Sequence, residues 1–234
     1  MGLGQRTGID LPGEQAGIMP SQEWKLKTLH DKWYAGDTPS VGIGQGFDQA
    51  TPIQMARALS GIASGGVFVR PHVVMPGQVS DQEQATIDQE FPGSGVAHIS
   101  ITPENWQTIT DDMANVLSPI GTAAEAHLDG IDIAGKTGTA DIVAGRQKNS
   151  SDKATLPHSW FVGMTPRRNP DIVVAVLWEH GYWGNNSAKL AAQVIDTYVT
   201  KQRKGEGNLK LEVEAPKVVG PKTVGDVAGA PSAE

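Results

Sequence analysis

The chain has 234 residues, a formal net charge of −7, and 38% hydrophobic against 19% charged residues, a globular composition long enough for one large domain or two small ones. It holds no cysteine, which excludes disulfides, thiolate metal sites, iron–sulfur clusters and a cysteine nucleophile. Its acidic balance argues against nucleic acid as a partner, and no apolar run approaches the ~20 residues of a membrane span, which fits a soluble domain or a soluble piece of something longer.

Residues 1–50 are punctuated by Gly13, Gly17, Pro20, Gly36, Pro39, Gly42, Gly44 and Gly46, and read as a long ordered loop region without a core helix. The first clear helix opens at Thr51-Pro52-Ile53-Gln54, a capping-box pattern with proline in the first helical position. Met55, Leu59 and Ile62 give it an apolar face, and Gly65-Gly66 end it. Val67 to Val74 reads as a strand. Residues 77–97 read as a polar, acidic excursion. A second helix is predicted from Thr102-Pro103-Glu104 through Trp106, Ile109, Met113, Val116 and Leu117, stopped by Pro119 and Gly121.

Three strand signals follow, at Ile131–Ala140, Ser159–Met164 and Ile172–Trp178. The last is continuously apolar, the pattern of a strand buried on both faces. Thr165 to Asp171 joins the last two strands as a hairpin-type loop. A C-terminal helix is expected from about Ser187 to Val199. The predicted organisation is a folded unit over residues 1–200 and a flexible low-complexity tail over 201–234, which has no aromatic residue.

Gly135-Lys136-Thr137-Gly138-Thr139 is the most informative stretch. With Gly130 it satisfies the phosphate-loop spacing G-x-x-x-x-G-K-[ST]. That motif needs a strand leading into a loop and then a helix, whereas here the spacer is strand-like and the residues after Lys136 are poor helix formers. The other reading is the K-T-G strand of serine acyl-transfer enzymes. On an edge strand a backbone N–H, that of Thr139, can complete an oxyanion hole. Period 2 places the hydroxyls of Thr137 and Thr139 on one face, where they can grip a substrate carboxylate. Lys136 adds positive charge for the same anion, and Gly138 leaves room. On these five residues alone, a plain glycine-containing strand is an equal alternative.

The surroundings extend the pattern. Gly4 to Glu14, Ser40-Val41-Gly42-Ile43-Gly44-Gln45-Gly46, the Thr51-Pro52-Ile53-Gln54-Met55-Ala56 helix start, Gly121-Thr122-Ala123, Ala134 to Ala140, His158-Ser159-Trp160-Phe161-Val162-Gly163 and Glu179-His180-Gly181 occur in that order. Taken together, residues 3–200 resemble the transpeptidase domain of class B penicillin-binding proteins, in particular the elongation group. The resemblance implies an α+β fold of the serine β-lactamase-like type, with a five-stranded antiparallel sheet flanked by helices and incomplete at the N-terminus. The sheet is expected to lie between the C-terminal helix on one side and the residue 51–63 and 102–118 helices on the other.

The implied activity is that of a D,D-transpeptidase of cell-wall cross-linking. A serine attacks the D-Ala–D-Ala bond of a peptidoglycan stem peptide, and an amine from a neighbouring stem resolves the acyl-enzyme. The implied site is Lys136, Thr137, Gly138 and Thr139, with Lys136 acting electrostatically and Thr139 as the backbone oxyanion donor. No metal or organic cofactor is implied. The implied partners are stem peptides, β-lactams, the rest of the domain and cell-elongation membrane proteins, but no nucleic acid, and the implied place is the periplasmic face of the bacterial inner membrane.

The family's S-x-x-K and S-x-N motifs are absent from residues 1–135. Ser150-Ser151-Asp152-Lys153 matches S-x-x-K, but it follows the K-T-G strand in a loop-like setting, whereas the pair belongs on a helix turn that brings lysine to serine. The chain is therefore expected to be the C-terminal portion of a transpeptidase domain, inactive alone, and truncated or cleaved from a parent. A non-catalytic scaffold or sensor built on the same fold is the alternative. The six histidines are too far apart in sequence to form a local ligand pair; His158 and His180 flank the core strands, and Trp183 is placed for a cleft rim. Asn185-Asn186-Ser187 fits a glycosylation sequon, with helix capping the more economical reading.

Overall fold

The computed structural model describes residues 1–75, 77–92, 97–142 and 155–205. In chain order these form α1 (Gln22–Leu29), α2 (Asp37–Gly42), α3 (Pro52–Ala63), β1 (Val67–Phe68), α4 (Asp81–Glu90), β2 (Ala97–His98), α5 (Pro103–Asn115), a 3-10 turn at Ala124–Ala126, β3 (Ala134–Ala140), β4 (His158–Thr165), β5 (Ile172–Trp178) and α6 (Gly184–Arg203). The strands β3, β4 and β5 make one antiparallel sheet in that order, and β1 and β2 a second, two-stranded one. The register sets Gly135 opposite Gly163, Lys136 opposite Val162 and Thr139 opposite Ser159.

Helices cover both faces of the larger sheet, as expected. On one face α6 lays Ala188, Ala191, Ala192 and Ile195 against Phe161, Leu117, Ala123 and Ile133. On the other, α3 and α5 bring Leu59, Ile62 and Met113 to Ala134, Met164 and Val173. Alternation along each strand divides these two layers. The small residues along α6 let the helix come close to the sheet. At the centre the ring of Phe161, 1% exposed, lies over two glycines: a Cβ on Gly163 would meet its Cε1 at 2.6 Å, and one on Gly135 would overlap its Cζ.

Thr51 caps α3 as read, with the reciprocal Gln54 bond in place. Gln54 does more than cap: its Nε2 donates to the carbonyls of Gln5 and Ala16, both at 2.7 Å. The N-terminal loop is held by such bonds in place of a ladder. Glu14 accepts from the N–H groups of Thr7 and Gly8, and Asp10 accepts from those of Val73 and Val74. Burial pushes the Asp10 carboxyl up, but those two donors, its own amide and His72 outweigh burial and hold it below the usual carboxylate value. Its ionised form is thus tied to the folded state, and its contribution fades as the pH falls through that lowered value.

Several elements depart from the sequence reading. Residues 1–50 contain α1 and α2, although only Lys25 of α1 is buried. Strand pairing after Gly66 stops at Phe68, and the acidic excursion contains α4, opened by a Ser80–Glu83 capping box. β3 starts at Ala134, three residues after the predicted Ile131. Helices do cover both faces of β5, but among the described residues β5 ends the sheet, with Ile172 to Leu177 half-buried and Trp178 exposed. The larger sheet has three strands among the described residues, in keeping with a five-stranded sheet that is incomplete in this chain. α6 starts at Gly184 and runs to Arg203, so the first residues assigned to the tail are helical. The Ser150–Lys153 match and residues 206–234 lie outside the described residues.

The packing of Phe161 predicts that Gly135→Ala destabilises the protein by about 1–3 kcal/mol, the usual cost of overpacking. At roughly 2–4 °C per kcal/mol for a domain of this size, thermal unfolding followed by circular dichroism should show a clear fall in Tm.

Candidate active site

Among the described residues the strand β3 is an edge strand, and its sequence decides what that edge offers. Thr139 sits opposite Ser159 on β4, yet its carbonyl accepts from Gln45 Nε2 at 2.8 Å on the far side. In an antiparallel strand the N–H and C=O of one residue point the same way. The Thr139 N–H is therefore directed to the free edge, and so, two residues earlier, is that of Thr137. This is the direction an oxyanion donor requires.

The hydroxyls of Thr137 and Thr139 share the face that meets α6, as period 2 demands. Thr137 and Thr122 share a hydroxyl–hydroxyl bond of 2.9 Å. Thr122 is brought there by a tight turn in which Gly121 N–H donates to the Ser118 carbonyl at 2.8 Å. Thr139 Oγ1 accepts from the Gly184 N–H at 3.2 Å, at the first residue of α6. That acceptance leaves the Thr139 O–H proton available to a ligand.

Lys136 alternates to the opposite face, the one lined by α3 and α5. It is exposed, and its flexible stem carries Nζ round to the Thr137 carbonyl at 2.8 Å. The cation therefore lies at the same edge as the threonines, reached from the other side. The N-terminus of the 20-residue α6 abuts that edge too, so its partial positive charge adds to that of Lys136.

The entry of α6 is built by the sheet. Its N-cap, Trp183, makes no side-chain cap. Strand hydroxyls replace it: Thr139 takes the Gly184 N–H, and Ser159 Oγ takes the Ser187 N–H at 3.0 Å while donating to the Trp183 carbonyl at 2.7 Å. Ser187 Oγ donates back to the Ser159 carbonyl. A Cβ on Gly184 would stand 2.7 Å from the Gly138 carbonyl oxygen and 3.0 Å from its nitrogen, so only glycine allows the helix this near the strand. The capping expected of Asn185-Asn186-Ser187 is thus corrected: Asn186 donates to the Gly181 carbonyl and Ser187 is buried against β4.

Sequence reasoning passed over two side chains of this arrangement, Gln45 and Thr122, quoting them only inside longer motifs. Gln45 follows α2, which is held by Lys25. The Lys25 ammonium donates to Asp37 at 2.6 Å and lies 4.6 Å from the Tyr34 ring centroid and 5.3 Å from that of Phe47. The bond to Asp37, outweighing burial, raises the Lys25 pKa, and Lys25 in turn lowers that of Asp37. Both stay charged. His158 and His180 stack edge-on at 5.0 Å, with His180 N–H donating to His158 Nδ1 at 3.0 Å, at the end of the sheet where His158 pairs with Ala140. Trp183 is 45% exposed beside the edge. Among the described residues no group of three His, Asp or Glu side chains could hold a metal ion, and no helix is long and apolar enough to cross a membrane.

A family model described as the penicillin binding protein transpeptidase domain matches residues 1–199. The peptidoglycan D,D-transpeptidase MrdA of Acinetobacter baumannii is 37% identical over 208 residues, covering 87% of this chain and 30% of that protein. The MrdA of Escherichia coli K12 is 34% identical over 225 residues, covering 93% of this chain and 34% of that protein. Among solved structures, Pseudomonas aeruginosa PBP2 in complex with WCK 5153 aligns with a TM-score of 0.66 at 34% identity, over 86% of this chain and 41% of that one. Helicobacter pylori PBP2 in complex with MreC aligns at 0.69 and 27% identity, over 88% and 35%. The chain thus spans about a third of the length of the curated relatives it matches, and the likeness carries the expected fold with it.

The capping of α6 by the strands predicts that Thr139→Val lowers stability by about 1 kcal/mol, the usual worth of a helix cap, whereas Thr139→Ser stays close to the parent. Urea unfolding should show a lower midpoint with an unchanged slope for the valine variant alone.

Proposed function

Because this chain belongs to the penicillin-binding protein transpeptidase family, and within it to the PBP2/MrdA type, we propose that it furnishes the β3 wall of a peptidoglycan D,D-transpeptidase site. The observation that carries this reading is the Lys136-Thr137-Gly138-Thr139 edge, which turns the Thr139 N–H outward and gathers Lys136 and the α6 N-terminus beside it.

In this mechanism the terminal carboxylate of the stem peptide lies against Lys136 and the Thr137 and Thr139 hydroxyls. The scissile carbonyl oxygen meets the Thr139 N–H. A serine outside residues 1–135, in an S-x-x-K helix of the full-length protein, attacks the D-Ala–D-Ala carbonyl carbon. Negative charge then grows on the oxygen that Thr139 N–H already faces, and one such donor is worth about 2.7–4 kcal/mol. Collapse expels D-alanine and leaves an acyl-serine. An amine of a neighbouring stem attacks the ester, restores the serine and completes the cross-link. A β-lactam meets the same edge with its own carboxylate and carbonyl. We place the full-length protein at the periplasmic face of the bacterial inner membrane, with cell-elongation membrane proteins as partners. The Helicobacter pylori PBP2 solved with MreC supports that partnership.

Lys136→Ala in the full-length protein should slow acylation by one β-lactam at least tenfold more than Thr139→Ser does, about 1.4 kcal/mol. The serine keeps both the hydroxyl and the backbone N–H. The measurement is the second-order acylation rate, with circular dichroism confirming both folds; equal rates would make Lys136 a structural residue.

Residues 1–234 alone should give no covalent band with a fluorescent penicillin on a denaturing gel, since residues 1–135 contain no S-x-x-K. Labelling traced to Ser150 by peptide mapping would reverse that reading.

A further inference from the structure

Gln45 meets β3 with both arms of its side-chain amide. Nε2 donates to the Thr139 carbonyl at 2.8 Å, and Oε1 accepts from the Asp141 N–H at 3.2 Å. A carbonyl and an N–H two residues apart on a free edge are the pair that a neighbouring strand would engage. One side chain thus stands in for a strand at the end of β3 and closes the ladder there.

The loop behind it is built for that reach. Gly44 and Gly46, on either side of Gln45, have φ of +74° and +71°, which other residues rarely adopt. The Gln45 N–H donates to the Ser40 carbonyl at 3.0 Å. A Cβ on Gly46 would stand 2.8 Å from Ser40 Oγ. Two residues on, the Phe47 ring packs beside Lys25 and against Trp24, centroid to centroid 5.5 Å. The backbone of Gln45 is fixed independently of β3, so its amide imposes a position on the strand and does not merely follow it.

We propose that Gln45 is a positioning residue for acyl transfer: by clamping the Thr139 carbonyl and the Asp141 N–H, it aims the Thr139 N–H and stops a bound peptide from sliding along β3. This rests on the acyl-transfer reading of that edge. With Lys136 Nζ on the Thr137 carbonyl and Gln45 on the Thr139 carbonyl, an incoming backbone is left the outward N–H groups of Thr137 and Thr139. That fixes one register. Without Gln45 the Thr139 carbonyl and Asp141 N–H would offer a second register two residues further along, with the scissile carbonyl displaced from its donor.

The test uses the full-length protein and a chromogenic β-lactam, with the acylation rate constant and the binding constant measured separately. Gln45→Ala should lower the rate constant at least tenfold and change binding by less than threefold. Gln45→Glu keeps the acceptor arm but at neutral pH cannot donate to Thr139. Its rate relative to the parent protein should therefore be low at pH 7.5 and rise towards one as the pH is lowered to the usual glutamate value of about 4.3 and the carboxyl takes up a proton, a recovery that a purely structural role would not produce. If the alanine variant fails to fold, the glutamate ratio decides alone. A Gln45→Ala rate within twofold of the parent, or a Gln45→Glu ratio flat with pH, would overturn the proposal while a slow Lys136→Ala leaves the reading of the edge intact. A parent protein that is not acylated at all would overturn both.

Discussion

The junction between the N-terminus of α6 and the first two strands of the sheet is the constraint on which the site depends. A helix end buried against a sheet must find partners for its unpaired N–H groups. Here Thr139 and Ser159 provide them across the fold, and Gly184 permits the approach. Moving α6 would uncover those groups, withdraw the helix's positive end from the β3 edge and strip the Phe161 layer of its cover. The same contact that stabilises the helix therefore sets the electrostatics of the edge.

The chemistry at that edge comes from an unequal treatment of the two sides of one strand. Towards β4, the strand β3 is committed to a regular ladder. On its outer side, polar side chains engage selected backbone groups and leave others for a ligand. Lys136 takes one carbonyl and Gln45 another. Both are acceptors, so the remaining edge is rich in donors, which is what a carboxylate and a developing oxyanion need. An edge strand normally invites pairing with any passing strand. Here the invitation is cut to a short stretch.

Much of this was readable from the residues, for identifiable reasons. The caps at Thr51 and Thr102 are local patterns, and both helices start where those patterns put them. The strands β4 and β5 carry enough apolar residues to be seen, β3 shows only a loose alternation that begins three residues early at Ile131, and alternation within K-T-G-T puts both threonines on one face. What escaped was short or non-local. The helix Asp81–Glu90 has no apolar face, so periodicity was silent, although Ser80 and Glu83 spelled its capping box. The helix Gln22–Leu29 buries only a lysine. The start of α6 was misplaced because its caps come from strands 24–45 residues away. Gln45 lies 94 residues from its partner, and nothing in a glycine-flanked glutamine announces a hydrogen bond to a distant strand.

That separation bears on how the protein acquires its site. An unstructured chain that brings residues 45 and 139 together closes a 94-residue loop, at an entropic cost of about 4 kcal/mol before any bond rewards it. Two hydrogen bonds to a half-buried amide return less than that. The clasp therefore cannot hold on its own in an unstructured chain, and depends on the contacts that shape its loop and place β3. The polar contacts at the end of β3 are thus complete only when the N-terminal loop and the sheet are both in place.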